Sequence, residues 1–233
     1  MAARTLKFTK MHGLGNDFVV VDGFRKGAPR ITAALARKMG DRRLGIGFDQ
    51  LLWLLPSKKH DARMVIYNPD GSEAEMCGNG IRAAALYLKE SVSRFRNKKQ
   101  LEIETLGGLI RAEFRARGII AVDMGKPGLR TRGLLLHIQG ERVECDDVDM
   151  GNPHAVVWVG ALAAYPAESH GPALENDAHF PNRTNVEFVE KTGPSEIRVR
   201  VWERGAGFTL ACGTGACASV VSGIARGLLT SPV

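Results

Sequence analysis

Alternating or β-rich apolar runs occupy residues 17–22, 50–55, 62–68, 101–105, 109–114 and 118–123, and again 154–159, 185–190 and 196–203. Side chains point to opposite faces of a strand with period two, so these runs predict β-strands. The segment 31–40, ITAALARKMG, has helical spacing and ends at a glycine. Two further helices are predicted, one after Cys77 and one after Cys212. The first carries Ile81, Ala83, Ala84, Ala85, Leu86 and Leu88; the second carries Ala216, Ala218, Val220, Val221 and Ile224. Neither shows a polar stripe, so each is expected to be enclosed by other structure. The pattern predicts an α/β (α+β) chain in which mixed, mostly antiparallel sheets wrap central helices.

The same pattern is written twice. Residues 65–84, VIYNPDGSEAEMCGNGIRAA, align without a gap on 200–219, RVWERGAGFTLACGTGACAS, at an offset of 135. Cys77 falls on Cys212, Gly78 on Gly213 and Gly80 on Gly215. The offset recurs elsewhere: Asn16 lies 136 residues before Asn152, and Gln50 lies 135 before Asn185. Two pseudo-symmetric domains follow, expected at 1–140 and 141–233, with an active site in the cleft between them. After Cys77 the first copy runs on through three strand-like segments, whereas only 21 residues follow Cys212. The second copy is therefore expected to lack its last strands or to close differently. If strands are missing, an uncovered sheet edge, low stability and aggregation are expected.

Composition narrows the function. The 233 residues suffice for two small cores, and no apolar run approaches the roughly 20 residues that span a bilayer. The opening MAARTLKFTK lacks the apolar core of a signal peptide, which makes the cytoplasm the expected location. The formal charge is +7, but no basic patch is interleaved with aromatics, so nucleic acid is not an expected partner. The excess charge suits an anionic substrate. The four cysteines are too few for a disulfide framework and are expected to be reduced. Cys145 and Cys217 read as buried core thiols. Cys212 and Cys217 have no further ligands to complete a zinc site.

Cys77 and Cys212 are different, because each immediately precedes a predicted helix. Unpaired N–H groups and the positive end of the helix dipole favour thiolate there. The adjacent glycines let another molecule approach the backbone, and the N–H groups can hold a carboxylate. Two such turns offer a thiolate to one face of an α-carbon and a thiol to the other. That arrangement suits inversion of an amino acid without pyridoxal or a metal. A non-catalytic amino-acid-binding protein would not need both cysteines.

The motifs KMHGLGNDFVVVD, GFDQ, YNPDGSEAEMCGNG, MGNPHAVVWV, NRTNVEF and ERGAGFTLACGTGACA resemble those of the diaminopimelate epimerase family. The resemblance runs from about residue 5 to 230 and implies cofactor-independent interconversion of LL- and meso-diaminopimelate, for lysine and peptidoglycan precursors. It implies that Cys77 and Cys212 are the proton-transfer thiols. It assigns substrate contacts to Asn16, Gln50, Asn68, Asn152 and Asn185, and the distal carboxylate to Arg204, with Glu203 as its acidic neighbour. Gly78, Asn79, Gly213 and Thr214 match the loops around the reacting carboxylate. His154 and Glu203 match groups that tune the thiols. A diaminopimelate partner fits these roles, since asparagine both donates and accepts and arginine grips a carboxylate bidentately. A homodimer is compatible with the resemblance. Two departures stand out: Phe208 occupies a slot the family usually fills with an acidic or polar residue, and the family continues beyond Val233 with strands that complete the second domain. Proline and hydroxyproline racemases of the same architecture are the neighbouring alternative, and an inactive truncated amino-acid-binding relative is the more distant one.

Overall fold

The computed structural model describes residues 5–233; the first four, where the N-terminal half is expected to begin, lie outside the described residues. The chain divides after Met124 into two compact units.

The first unit is one eight-stranded sheet with two α-helices. Its elements are β1 (Thr9–Gly13), β2 (Asn16–Asp22), α1 (Ala33–Gly40), β3 (Gln50–Pro56), β4 (Ala62–Tyr67), β5 (Glu73–Ala74), α2 (Gly78–Ser91), β6 (Gln100–Thr105), β7 (Gly108–Phe114) and β8 (Ile120–Asp123). The strand order is β1-β2-β3-β4-β6-β7-β8, with β5 added beside β4. Two pairs are parallel, β2 with β3 and β4 with β6. Parallel neighbours need a crossover, and here α1 and α2 supply them. The β1–β2 hairpin turns on Leu14 and Gly15, both at positive φ (55° and 87°), a two-residue turn whose twist matches the strands. That turn delivers Asn16 to the first position of β2.

The second unit repeats the design with β9 (Gly128–Ile138), β10 (Glu141–Asp149), β11 (Pro153–Val159), α3 (Ala167–Glu175), β12 (Asn185–Gly193), β13 (Glu196–Glu203), β14 (Gly207–Thr209) and α4 (Gly213–Ala225). Its sheet order is β14-β13-β12-β11-β10-β9, and β11–β12 is the parallel pair, crossed by α3. The duplication is visible in the register. Phe18 of β2 faces Gln50 of β3, and His154 of β11 faces Asn185 of β12.

Three sequence expectations are corrected. The boundary falls between Met124 and Gly125 rather than near 140, because β9 pairs along β10 and so belongs to the second sheet. Strand β9 escaped the pattern because its Gly-Leu-Arg-Thr-Arg-Gly start is polar and largely exposed. Helix α3 escaped it because Gly171 and Pro172 sit inside its nine residues.

The third correction concerns α4. Helix α2 is enclosed over most of its apolar surface: Ile81, Ala84, Ala85 and Leu88 have no exposure, and β7 and β8 lie against it in addition to β1–β3, but Leu86, expected inside, is exposed. Helix α4 buries one face only, through Thr214, Ala218, Ser219 and Ser222, against β9 to β13. Ala216 is exposed and Ile224 is 45% exposed, so its apolar composition does not mean enclosure. Among the described residues, positions 196–200 of β13 pair only with β12, since β14 covers just Val201–Glu203 of the other edge. The C-terminal end of α4 is tied to β10 by Asp146, a fully buried carboxylate that accepts from Arg226 Nε (2.7 Å) and Nη2 (2.6 Å) and from Ser222 Oγ (2.5 Å).

Candidate active site

Cys77 and Cys212 occupy the same local structure. Each is an N-cap with extended backbone (φ −147° and −124°), and each sulfur accepts the N–H three residues on, from Gly80 at 3.1 Å and Gly215 at 3.4 Å. The glycines at these positions allow a close approach. A Cβ on Gly80 would lie 3.0 Å from Cys77 Sγ, and one on Gly215 would lie 2.5 Å from Glu187 Oε1. Gly78 and Gly213 are the first residues of α2 and α4, so their helix turns present backbone N–H groups beside each thiol.

In the first unit Gln50 and Asn68 come together: Gln50 Nε2 donates to Asn68 Oδ1 at 3.2 Å, and Asn68 Nδ2 donates to Ser72 Oγ at 3.1 Å. Gln50 Oε1 is buried with no hydrogen-bond partner among the described residues. Asn16 donates to Asp49 at 2.8 Å, and Asp49 belongs to a cluster with Asp17, Arg42 and Lys10. Burial acts against ionisation of Asp17, yet hydrogen bonds and charge from Arg42 and Lys10 hold it down at about 2. Asn79 is buried on α2, and its Oδ1 accepts from Arg82.

In the second unit a continuous chain of side chains reaches the thiol. Glu187 Oε1 lies 2.7 Å from His154 Nδ1; His154 Nε2 lies 3.0 Å from Asn152 Oδ1; Asn152 Nδ2 donates to Thr214 Oγ1 at 3.4 Å; and Thr214 Oγ1 lies 3.3 Å from Cys212 Sγ. An amide oxygen only accepts, so His154 Nε2 carries a proton. The Thr214 hydroxyl thus links this chain to the sulfur. Asn185 Oδ1 accepts the Arg204 N–H at 3.0 Å, and Asn185 Nδ2 donates to Pro153 O at 2.9 Å. Arg204 Nη1 donates to Asn182 O at 3.2 Å, and Glu203 Oε1 accepts from the Thr209 hydroxyl.

The helix-start argument alone predicts a lowered Cys212 pKa; in place, the thiol is pushed well up. Burial is the largest cause, then the carboxylates of Glu203 and Glu187, against which the Thr214 hydroxyl and Gly215 N–H act in the opposite sense. A raised thiol is a proton donor at neutral pH. Glu187 is the residue that sequence reasoning missed. It stands in NRTNVEF two places after Asn185, and an acidic residue inside a strand otherwise buried was the available signal. The Phe208 ring meets Trp202 edge-on at 5.1 Å and lies under the Arg200 guanidinium at 3.9 Å. Cys145 is fully buried, and burial followed by Asp146 and Asp147 pushes it up to about 12. Among the described residues no three His, Cys, Asp or Glu side chains form a metal-sized cluster, and no helix is long and apolar enough to cross a membrane.

Two sheets, each with a helix-start thiol, define an amino-acid racemase type of fold. Solved structures share it: a probable proline racemase from Agrobacterium radiobacter (TM-score 0.76, 19% identity, covering 98% of this chain and 80% of that one) and a hydroxyproline epimerase from Agrobacterium vitis (0.73, 17%, covering 97% and 78%). At such identities the likeness is one of fold. Sequence comparison is more specific. The family model for diaminopimelate epimerase matches residues 8–129 and 147–233. The diaminopimelate epimerase of Desulforudis audaxviator is 50% identical, over 95% of this chain and 84% of that protein. That of Chromobacterium violaceum is 46% identical, over 98% and 86%. The chain belongs to the diaminopimelate epimerase family and is an isomerase.

Proposed function

We propose that the protein interconverts LL- and meso-diaminopimelate by a two-thiol proton transfer. One cysteine, as thiolate, removes the α-proton; the other, as thiol, returns a proton to the opposite face. The proton count balances, and the reverse reaction exchanges the two roles. The observation that carries the reading is the pair of N-cap cysteines, Cys77 and Cys212, in matched helix starts within a family of known chemistry. Charge developing on the substrate carboxylate falls to the N–H groups at Gly78, Asn79, Gly213 and Thr214. The raised Cys212 thiol supplies the protonated partner.

Arg204 takes the distal carboxylate in this reading, with Asn16, Gln50, Asn68, Asn152, Asn185 and Glu203 completing recognition. The buried, unpartnered Gln50 Oε1 suits a substrate ammonium. A proline ring offers Arg204 no second carboxylate, so proline serves as the discriminating control. The reading places the protein in the cytoplasm, where its cysteines stay reduced. A homodimer is compatible with this reading, and light scattering would test it.

The test follows α-proton exchange of LL-diaminopimelate in D₂O by NMR with reduced protein. Deuterium incorporation with meso product is expected for the wild type, and neither is expected for Cys77→Ala or Cys212→Ala. Turnover by either alanine variant, or exchange of proline alone, would refute the proposal.

A further inference from the structure

Glu175 is the last residue of α3 and is 5% exposed. A carboxylate in that position needs partners, and here three N–H donors supply them. Oε2 accepts from the Trp202 indole at 2.7 Å, and Oε1 accepts from the Gly205 backbone N–H at 2.9 Å and from Arg183 Nη1 at 3.1 Å. Trp202 and Gly205 flank Glu203 and Arg204. One side chain therefore pins the chain on both sides of the arginine.

The surroundings leave that turn little freedom. The Ala206 N–H closes it on Glu203 O at 3.1 Å, and Gly205 adopts φ +75°, a left-handed conformation that disfavours other residues. The Trp202 ring is pressed on α3 where a Cβ on Gly171 would lie 2.9 Å from Cδ2. Asn185 holds the Arg204 N–H itself. None of these contacts restrains the guanidinium directly; together they set where its stem leaves the backbone.

We propose that Glu175 is the positioning residue for Arg204, fixing the distance at which the guanidinium meets the distal carboxylate of the substrate. The inference rests on the reading of Arg204 given above. Glu175 touches no substrate in this account and acts only through the 202–205 backbone. Replacing one carboxylate oxygen by an amide NH₂ sets a donor against a donor, because Trp202, Gly205 and Arg183 can offer nothing else at these atoms. The turn must then shift, and with it the grip on a part of the substrate remote from the chemistry. A contact made equally in ground and transition states appears in KM rather than kcat.

The experiment compares kinetics of full-length wild type, Glu175→Gln, Arg204→Ala and the double variant on LL-diaminopimelate. Glu175→Gln is expected to raise KM roughly tenfold, the effect of one buried donor left unpaired, with kcat within about twofold. In the Arg204→Ala background the same change should add less than about twofold, because the two positions share one path. An unchanged KM, a loss confined to kcat, or full additivity with Arg204→Ala would each overturn the proposal. Should Glu175→Gln not fold, Trp202→Phe removes one donor and keeps an aromatic ring against α3. A KM rise of about threefold is then expected, and none would overturn it. Wild-type protein that does not turn over diaminopimelate defeats the proposed function before any variant is made, and this inference with it.

Discussion

His154 Nδ1 lies 2.7 Å from Glu187 Oε1, and neither side chain has any exposure. The equivalent places in the first unit hold Phe18, opposite Gln50, and Leu52, two residues beyond it, both also without exposure. A polar pair in one unit thus replaces an apolar pair in the other. Removing one member of a buried pair strands its partner, at a cost of about 3–5 kcal/mol, whereas exchanging both for apolar residues is often neutral or better. Urea unfolding of the separate variants His154→Phe and Glu187→Leu should show losses of that size. The double variant, which copies the first unit, should lose less than either single one. Additive losses would mean that the two side chains are energetically independent.

The Cys212 thiol responds to its carboxylate neighbours. Burial raises it first, then Glu203, then Glu187. Taking away a negative charge favours thiolate, so Glu203→Gln should move the midpoint of Cys212 alkylation to lower pH. Iodoacetamide labelling read by fragment mass spectrometry separates Cys212 from Cys217. Cys145, at about 12, should stay unlabelled in the folded protein up to about pH 9. A midpoint that rises in Glu203→Gln would contradict the charge assignment.

The matched glycines should not tolerate alanine equally. Alanine gains up to about 1 kcal/mol over glycine inside a helix. At position 80 the new Cβ meets Cys77 Sγ and the tip of Leu52, each at 3.0 Å, so stability should change by less than about 1 kcal/mol while the displaced sulfur lowers activity. At position 215 it would lie 2.5 Å from the carboxylate oxygen of Glu187, which is held by His154. Gly215→Ala should cost about 1–3 kcal/mol. Thermal denaturation of the two variants tests the order, and a more stable Gly215→Ala would reverse it.

Acid should loosen the first unit through Asp17. Its folded-state value of about 2 lies below the 3.8 of a free aspartate. A depressed carboxylate stabilises the fold above its unfolded pKa, and that contribution is lost as pH falls from about 4 towards 2. Asp17→Asn should therefore be less stable than wild type at pH 6, with the gap narrowing by pH 2. Urea midpoints across this range measure it, and a constant gap would place the stabilisation elsewhere.

Much of the fold was legible because its signals are local. Period-two runs marked β2, β3, β4, β6, β7, β8, β11, β12 and β13, and the 135-residue offset paired Gln50 with Asn185 and Cys77 with Cys212. An N-cap cysteine is a property of a few consecutive residues, so both thiols could be placed on helix starts without coordinates. Strand β9 could not be found this way: its polar residues form a strand because β10 pairs with them.

What remained was decided by tertiary register. The exposure of α4 depends on which strands pack on it, whereas its sequence reports only that it is apolar. Glu187 meets His154 because β11 and β12 are parallel neighbours, a contact between residues 33 apart. Glu175 reaches Trp202 and Gly205 because α3 crosses behind the same sheet. Burial likewise reversed the expected direction of the Cys212 pKa, since desolvation depends on everything around the sulfur and the helix start is only one part of that. The sequence by itself determined the two helix-start thiols and their duplicated scaffold; packing determined their electrostatic surroundings, because charge and solvent act through space and not along the chain.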